Sequence, residues 1–263
     1  MADYIMLRKG RNMLSTVIHI ILNVALAVLS TALIVISGNW IFSVLLVLLS
    51  KWRAVAVRPR YWMLNIKSNL VDFTVGISLA LLIYSAGTDG LNAWHIFLTI
   101  IYIIWLVGIK PRSETIMTEV QALFAVFFGS FATALITTNL NPIAGVIICF
   151  IIGYGASRHV LTQGEEHDYT LAIFIFGLML AELYWIFYHW SIVYAIGGLG
   201  TTIVIPQLPI AATVIFFVLA RGYKSAVRHD GKIRASDILL PAIFSVLLMV
   251  TMIFFFSNAS FNI

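Results

Sequence analysis

Apolar runs recur along this chain from residue 14 to residue 257, with no long polar interval between them. About 20 helical residues cross the hydrocarbon of a bilayer. Lipid offers no water to an exposed backbone, so such runs must satisfy their own peptide groups as helices. Hydrophobic residues make up 61% of the chain and charged residues only 10%, where a soluble domain averages about 25% charged. Too little polar sequence is left for a separate soluble unit. The expected fold is therefore all-α, a polytopic transmembrane helical bundle forming a single integral membrane domain over residues 1–263.

The runs read in order as Met13–Ser37, Trp40 to about Val57, Leu70–Ala86, Trp94–Ile109, Glu119–Thr138, Pro142–Ser157, Asp168–Trp190, an irregular Ser191–Ala220, and Ile238–Ser257. Arg8, Lys9 and Arg11 precede the first. That run is longer than the h-region of a cleaved leader, so it reads as an uncleaved signal anchor. In Ser191–Ala220, Gly197, Gly198 and Gly200 cluster ahead of Pro206 and Pro209. Glycine loosens a helix and proline removes a backbone hydrogen bond. One broken or re-entrant segment is expected at 191–220.

The cations fix the expected topology. With the N-terminus inside, the C-terminus outside and about nine crossings, the positive-inside rule is met throughout. All 16 Lys and Arg residues then fall on the inner side. Topology thus accounts for the net charge of +5, and no nucleic acid is expected as a partner. The compact, loop-poor layout points to a prokaryotic cytoplasmic membrane. Cys149 is the only cysteine, so a disulfide framework within the chain is excluded.

Glu182 is the most deeply placed acid. It lies about 21 Å along the helix from Asp168, at about 1.5 Å per residue. A carboxylate at that depth must be neutral, paired or wet. Trp185, Ile186 and His189 follow at helical spacing on the same face, with Tyr188 beside them. The pattern fits a proton-titrating or cation-binding carboxylate, and it fits a packed, hydrogen-bonded carboxyl in an aromatic interfacial belt. Asn23, with His19 one turn earlier, is a polar group inside the first span that suits either a polar path or helix packing. Asp72 and Glu119 open two spans, where capping and charge pairing suffice.

The segment from Lys51 to Lys67 interleaves Lys51, Arg53, Arg58, Arg60 and Lys67 with Trp52, Tyr61 and Trp62. Cations with aromatics beside a membrane suit anionic lipid headgroups at the inner face, or a protein partner. Arg221–Arg234 reads as a second basic inner connection. His95 and His189 lie near the outer face, a weak pattern for haem, and the acid- and His-bearing loop Arg158–Asp168 matches no metal-ligand spacing. The chain lacks a GxxxxGK[ST] loop, a His-Glu-x-x-His pair and a Gly-x-Ser-x-Gly turn. No cofactor is expected.

Three functions fit these residues. The first is a small carrier or channel, coupled to protons or cations through Glu182. The second is a non-catalytic membrane subunit or scaffold, with a protein partner or as a homo-oligomer. The third is an intramembrane lipid-modifying enzyme using Glu182 and His189 as acid and base, which requires both to converge on a cavity.

Overall fold

The computed structural model describes residues 2–52, 56–88, 90–137, 141–162, 169–190, 192–198 and 201–255. Helices α1 (Ala2–Ser37) and α2 (Trp40–Ser50) are followed by a 3-10 turn, Pro59–Tyr61, and a short α3 (Trp62–Ser68). Next come α4 (Leu70–Ser85) and α5 (Ala93–Ile103), the latter running on into a π-helical segment, Ile104–Ile109. Then follow α6 (Thr115–Ile136), α7 (Pro142–Leu161) and α8 (Thr170–His189). Strands β1 (Val193–Gly198) and β2 (Thr201–Pro206) precede α9 (Gln207–Arg228) and α10 (Ala235–Phe255).

Local chemistry sets the helix starts. Gly38, at φ +63°, lets the chain leave α1. Asn39 then caps α2 by accepting from the Ile41 amide at 2.9 Å. Asn141 does the same for α7, ahead of Pro142 at the first helical position. At α5, Asn92 accepts from the Trp94 and His95 amides while His95 Nδ1 accepts from the Asn92 amide, a reciprocal capping box.

Among the described residues, five helical stretches are long and apolar enough to cross a membrane: Ser15–Ser37, Thr115–Ile136, Pro142–Leu161, Thr170–His189 and Gln207–Arg228. Trp40–Ser50, Ala93–Ile109 and Ala235–Thr251 are shorter apolar helices, and Pro59–Ser68 meets Leu70–Ser85 at 67°. Ile36, Leu171 and Leu240 are typical of the exterior, which is apolar where a soluble protein would be polar. These are the features of an integral membrane protein.

Residues 191–220 depart from expectation. Val193–Gly198 and Thr201–Pro206 pair as antiparallel strands, with Val193 opposite Pro206 and Gly198 opposite Thr201, and an unbroken helix follows from Gln207. The run Thr201-Thr202-Ile203-Val204-Ile205 is β-branched throughout and favours a strand. Pro206 caps α9 and Pro209 sits in its first turn, where the missing amide has no intrahelical acceptor to lose. Gly197, Gly198 and Pro206 therefore precede the helix and Pro209 lies in its first turn, so none of them breaks its interior. Two strands cannot cross a bilayer alone, so the hairpin lies at one end of the bundle. The second run also ends earlier than expected, with Lys51 as the C-cap of α2.

Helix α6 is shared by both halves of the core. Ala125, Phe128, Phe131 and Ala132 pack with Ala27, Val47, Leu79 and Trp105 from α1, α2, α4 and the π segment. Ala122 and Val126 pack with Cys149, Ile152, Leu180 and Phe216 from α7, α8 and α9. In α7, the small residues Gly145, Cys149, Gly153 and Ser157 recur every fourth position. A Cβ on Gly153 would lie 2.7 Å from the Phe176 carbonyl, and one on Gly177 would lie 2.9 Å from the Phe150 ring. Small residues thus let α7 and α8 approach closely, the usual device where lipid supplies no hydrophobic drive between helices.

Candidate functional site

Most of the charged chemistry gathers where the C-terminal ends of α2, the π segment, α7 and α9 meet the N-terminal ends of α4 and α6. We call this the basic end. Asp72, in the first turn of α4, forms ion pairs through one oxygen with both Lys51 and Lys110, the latter at 2.8 Å. Its other oxygen accepts from Trp105 Nε1 at 3.4 Å. Lys51 is only 8% exposed and lies 5.9 Å from the centre of the Phe73 ring. Burial pushes its ammonium down to about 8, against the pull of the Asp72 carboxylate.

Glu119, in the second turn of α6, repeats the arrangement. Arg221 Nη2 pairs with it at 2.7 Å and Lys224 Nζ at 3.1 Å. These two cations are three residues apart and share a face of α9, which continues through what the sequence presented as a basic connection. Each carboxylate therefore faces two cations, which offset its charge and leave one positive charge over.

Gln121 joins the two clusters. Its Nε2 donates to the Ile109 and Arg112 carbonyls at 2.8 Å and to the Lys110 carbonyl at 3.3 Å. Those acceptors belong to the end of a helix, where carbonyls lack intrahelical donors. His159 Nε2, from α7, donates to Gln121 Oε1 at 2.7 Å. At the same end, Ser225 Oγ donates to Asp237 at 2.7 Å and ties α10 to α9. This is a fastening of helix ends by buried charge and amide chemistry.

Glu182 sits differently. It shares an exposed face of α8 with Trp185, Ile186 and His189, and with Tyr188 at its edge. The Trp185 and His189 rings lie 4.5 Å apart. No hydrogen bond or ion pair reaches Glu182 among the described residues. The spacing does place these groups together, on the perimeter of the bundle. Asn23 is elsewhere: its Nδ2 donates to the Leu106 carbonyl at 3.4 Å and ties α1 to the π segment. His95 uses both ring nitrogens locally, with Nε2 donating to the Gly87 carbonyl at 3.0 Å.

The basic segment from 51 to 67 divides. Lys51 is buried and paired, while Arg58, Arg60 and Lys67 are exposed beside exposed Trp62, Met63 and Leu64. Arg53 lies outside the described residues, as do Asp168 and residues 163–167 of the loop before it. No group of three His, Cys, Asp or Glu side chains is placed to hold a metal among the described residues.

A cavity of about 400 Å³ opens at the opposite, hairpin end, between α6, α8 and the strands. Tyr184, Phe187, Tyr188, Leu135, Val204 and Gln207 line it. Tyr184 is fixed there by donating to Thr137 Oγ1 at 2.7 Å, and its ring occupies the space left by Gly145. Sequence reading did not single out Gln121 or Gln207; it took Tyr184 only as a neighbour of the Glu182 stripe and His159 only as part of a solvated inner loop, whereas His159 lies in α7 and is bonded to Gln121. The signal for the first was a glutamine within an apolar run, and for Tyr184 the small-residue stripe facing it. Comparison with known protein families, curated proteins and solved structures finds no match to this chain.

Proposed function

We propose that this chain is a non-catalytic subunit of a heteromeric assembly in a prokaryotic cytoplasmic membrane, docking a partner helix on the Glu182 face of α8. The observation that carries the reading is Glu182 itself, a carboxylate on an apolar perimeter with no partner of its own among the described residues. It lies about 18 Å along α8 from Thr170. A carboxyl at such depth is costly unless a donor or cation meets it. In the nine-crossing topology a second copy offers no Lys or Arg at that depth, because all 16 lie toward the basic end. A cation for Glu182 would therefore come from a different chain, which favours a heteromeric partner over a second copy. The exposed Arg58, Arg60 and Lys67, beside exposed aromatic and apolar side chains on a segment bent from α4, suit contact with anionic headgroups at the inner face.

Native mass spectrometry of protein extracted gently from its source membrane tests this. The expected result is a stoichiometric partner that is lost in Glu182→Leu while the variant keeps its helical circular dichroism. Recovery of the wild-type chain alone, from the same extraction, overturns it.

A small carrier is the second reading, favoured by the cavity at the hairpin end. In that case Glu182→Gln abolishes pH-coupled uptake in proteoliposomes, and unchanged uptake rejects the carboxylate mechanism. Nothing favours the lipid-modifying enzyme, since Glu182 and His189 lie on the perimeter and neither lines this cavity.

A further inference from the structure

We infer that a groove between α8, α9 and α10 at the basic end binds one anionic phospholipid, with an acyl chain in the groove and the headgroup on the turn Arg228–Arg234. The inference does not rest on the partner proposed for Glu182. The groove encloses about 390 Å³ and is lined by Ile175 and Met179 of α8, Leu219 and Gly222 of α9, Ile238 of α10 and Ile233 of the turn. Gly222 opens its floor, since a Cβ there would meet only Ile238 Cδ1, at 3.5 Å. Ile175 and Leu219 are exposed, so the groove is open to the surrounding hydrocarbon.

Length and chemistry select the occupant of the apolar part. Val218 and Ala226 both line the groove, and they lie about 12 Å apart along α9 at about 1.5 Å per residue. That is most of one half of a hydrocarbon core about 30 Å thick. None of the lining residues carries a charge. A flexible acyl chain fills such a space without burying a polar atom.

The mouth supplies the charge. Ile233, itself part of the wall, stands between exposed Lys232 and Arg234, and Arg228 is exposed two residues beyond Ala226. The turn is folded back on the helix end that carries the groove. Gly231, at φ +84°, donates its amide to the Ala226 carbonyl at 2.8 Å, and the Arg234 amide donates to Ser225 Oγ at 3.0 Å. Three cations thus stand against two acids, Asp230 and Asp237. Asp237 already accepts from Ser225 Oγ and lies 3.9 Å from His229 Nδ1. The surplus positive charge is fixed where the headgroup of a chain lying in the groove would sit, and it favours a lipid of net negative charge over a zwitterionic one.

The test uses the full-length chain in phosphatidylcholine nanodiscs, with phosphatidylglycerol bearing a diazirine on one acyl chain as photolabel. Saturable labelling is expected in peptides containing Ile175–Met179 and Val218–Ala226. Unlabelled phosphatidylglycerol should compete about five-fold or more better than added phosphatidylcholine, and glycerol phosphate, which lacks the chain, should not compete. Replacing Arg228, Lys232 and Arg234 together by Gln should keep the labelling and lose the preference for the anionic lipid. Leu219→Trp, which fills the groove from an exposed position, should abolish labelling at these peptides while helical circular dichroism is retained. Glu182→Leu should label as wild type, so failure of the proposed partner leaves this inference standing. Equal competition by the two lipids in the wild type overturns it. So does labelling spread over the lipid-facing helices without saturation, or a co-extracted protein that covers these peptides and excludes the label.

Discussion

Asp72 and Glu119 are each held between two cations at the basic end, whereas Glu182 meets none among the described residues. All three are acids within apolar helices, yet they pose opposite physical problems. The first two occupy first or second turns, where the ends of neighbouring helices bring Lys51, Lys110, Arg221 and Lys224 within reach. Glu182 sits two-thirds of the way along α8 and points away from the bundle. Helix ends are thus fastened by ion pairs at one end of the molecule, while Glu182 on the α8 perimeter stays unpaired among the described residues.

The largest effect should follow from removing a carboxylate that two cations share. Asp72→Leu leaves Lys51 buried and unpaired, and should cost about 3–5 kcal/mol in unfolding measured in detergent. Lys51→Met combined with Asp72→Leu should recover much of that loss, because an apolar pair replaces a broken ionic one. A neutral result for Asp72→Leu alone would erase the contrast with Glu182.

Gln121→Leu comes next. It strips donors from the carbonyls at the end of the π segment and frees His159, and should destabilise by about 1–3 kcal/mol. Gly145→Ala should cost a similar ~1–3 kcal/mol by driving a methyl group into the Tyr184 ring. Tyr184→Ala in the same chain should recover part of it if the clash is the cause.

A pH scan sharpens the comparison further. Burial holds Lys51 at about 8 in the folded protein, against its ordinary 10.5. Between those values the unfolded chain binds more protons, so stability should rise with pH across that window and be flat below it. Thermal unfolding of Lys51→Met should lack this slope. A slope identical to wild type would show that the ammonium stays charged when folded.

The smallest change in stability is expected at Glu182. As an exposed side chain without a partner in this chain, Glu182→Gln should shift unfolding by no more than about 0.5 kcal/mol. A loss as large as that of Asp72→Leu would mean that the carboxylate is held within the fold after all.

Much of this architecture was legible from local sequence. The length and apolarity of the runs specify helices suited to a bilayer. Asn39, Asn92 and Asn141 mark the starts of α2, α5 and α7 through hydrogen bonds that span only a few residues. The stripe of Glu182, Trp185, Ile186 and His189 follows from helical periodicity alone. Glycine and proline in 191–220 announced a break, but not its form. Whether β-branched residues there close into a hairpin depends on the register of two strands and on the bundle end they cover.

What only the tertiary structure decided is which face of each helix looks inward. In a soluble helix the polar side marks the exterior, but here both the core and the lipid are apolar, so the sequence of α8 does not distinguish them. The same holds for the acids: Glu119 meets Lys224 across 105 residues, and Trp105 reaches Asp72 across 33. Composition and periodicity determined that this chain builds long apolar helices. Long-range packing alone determined that two of its carboxylates are fastened and the third faces outward, because pairing depends on which helix ends meet in space.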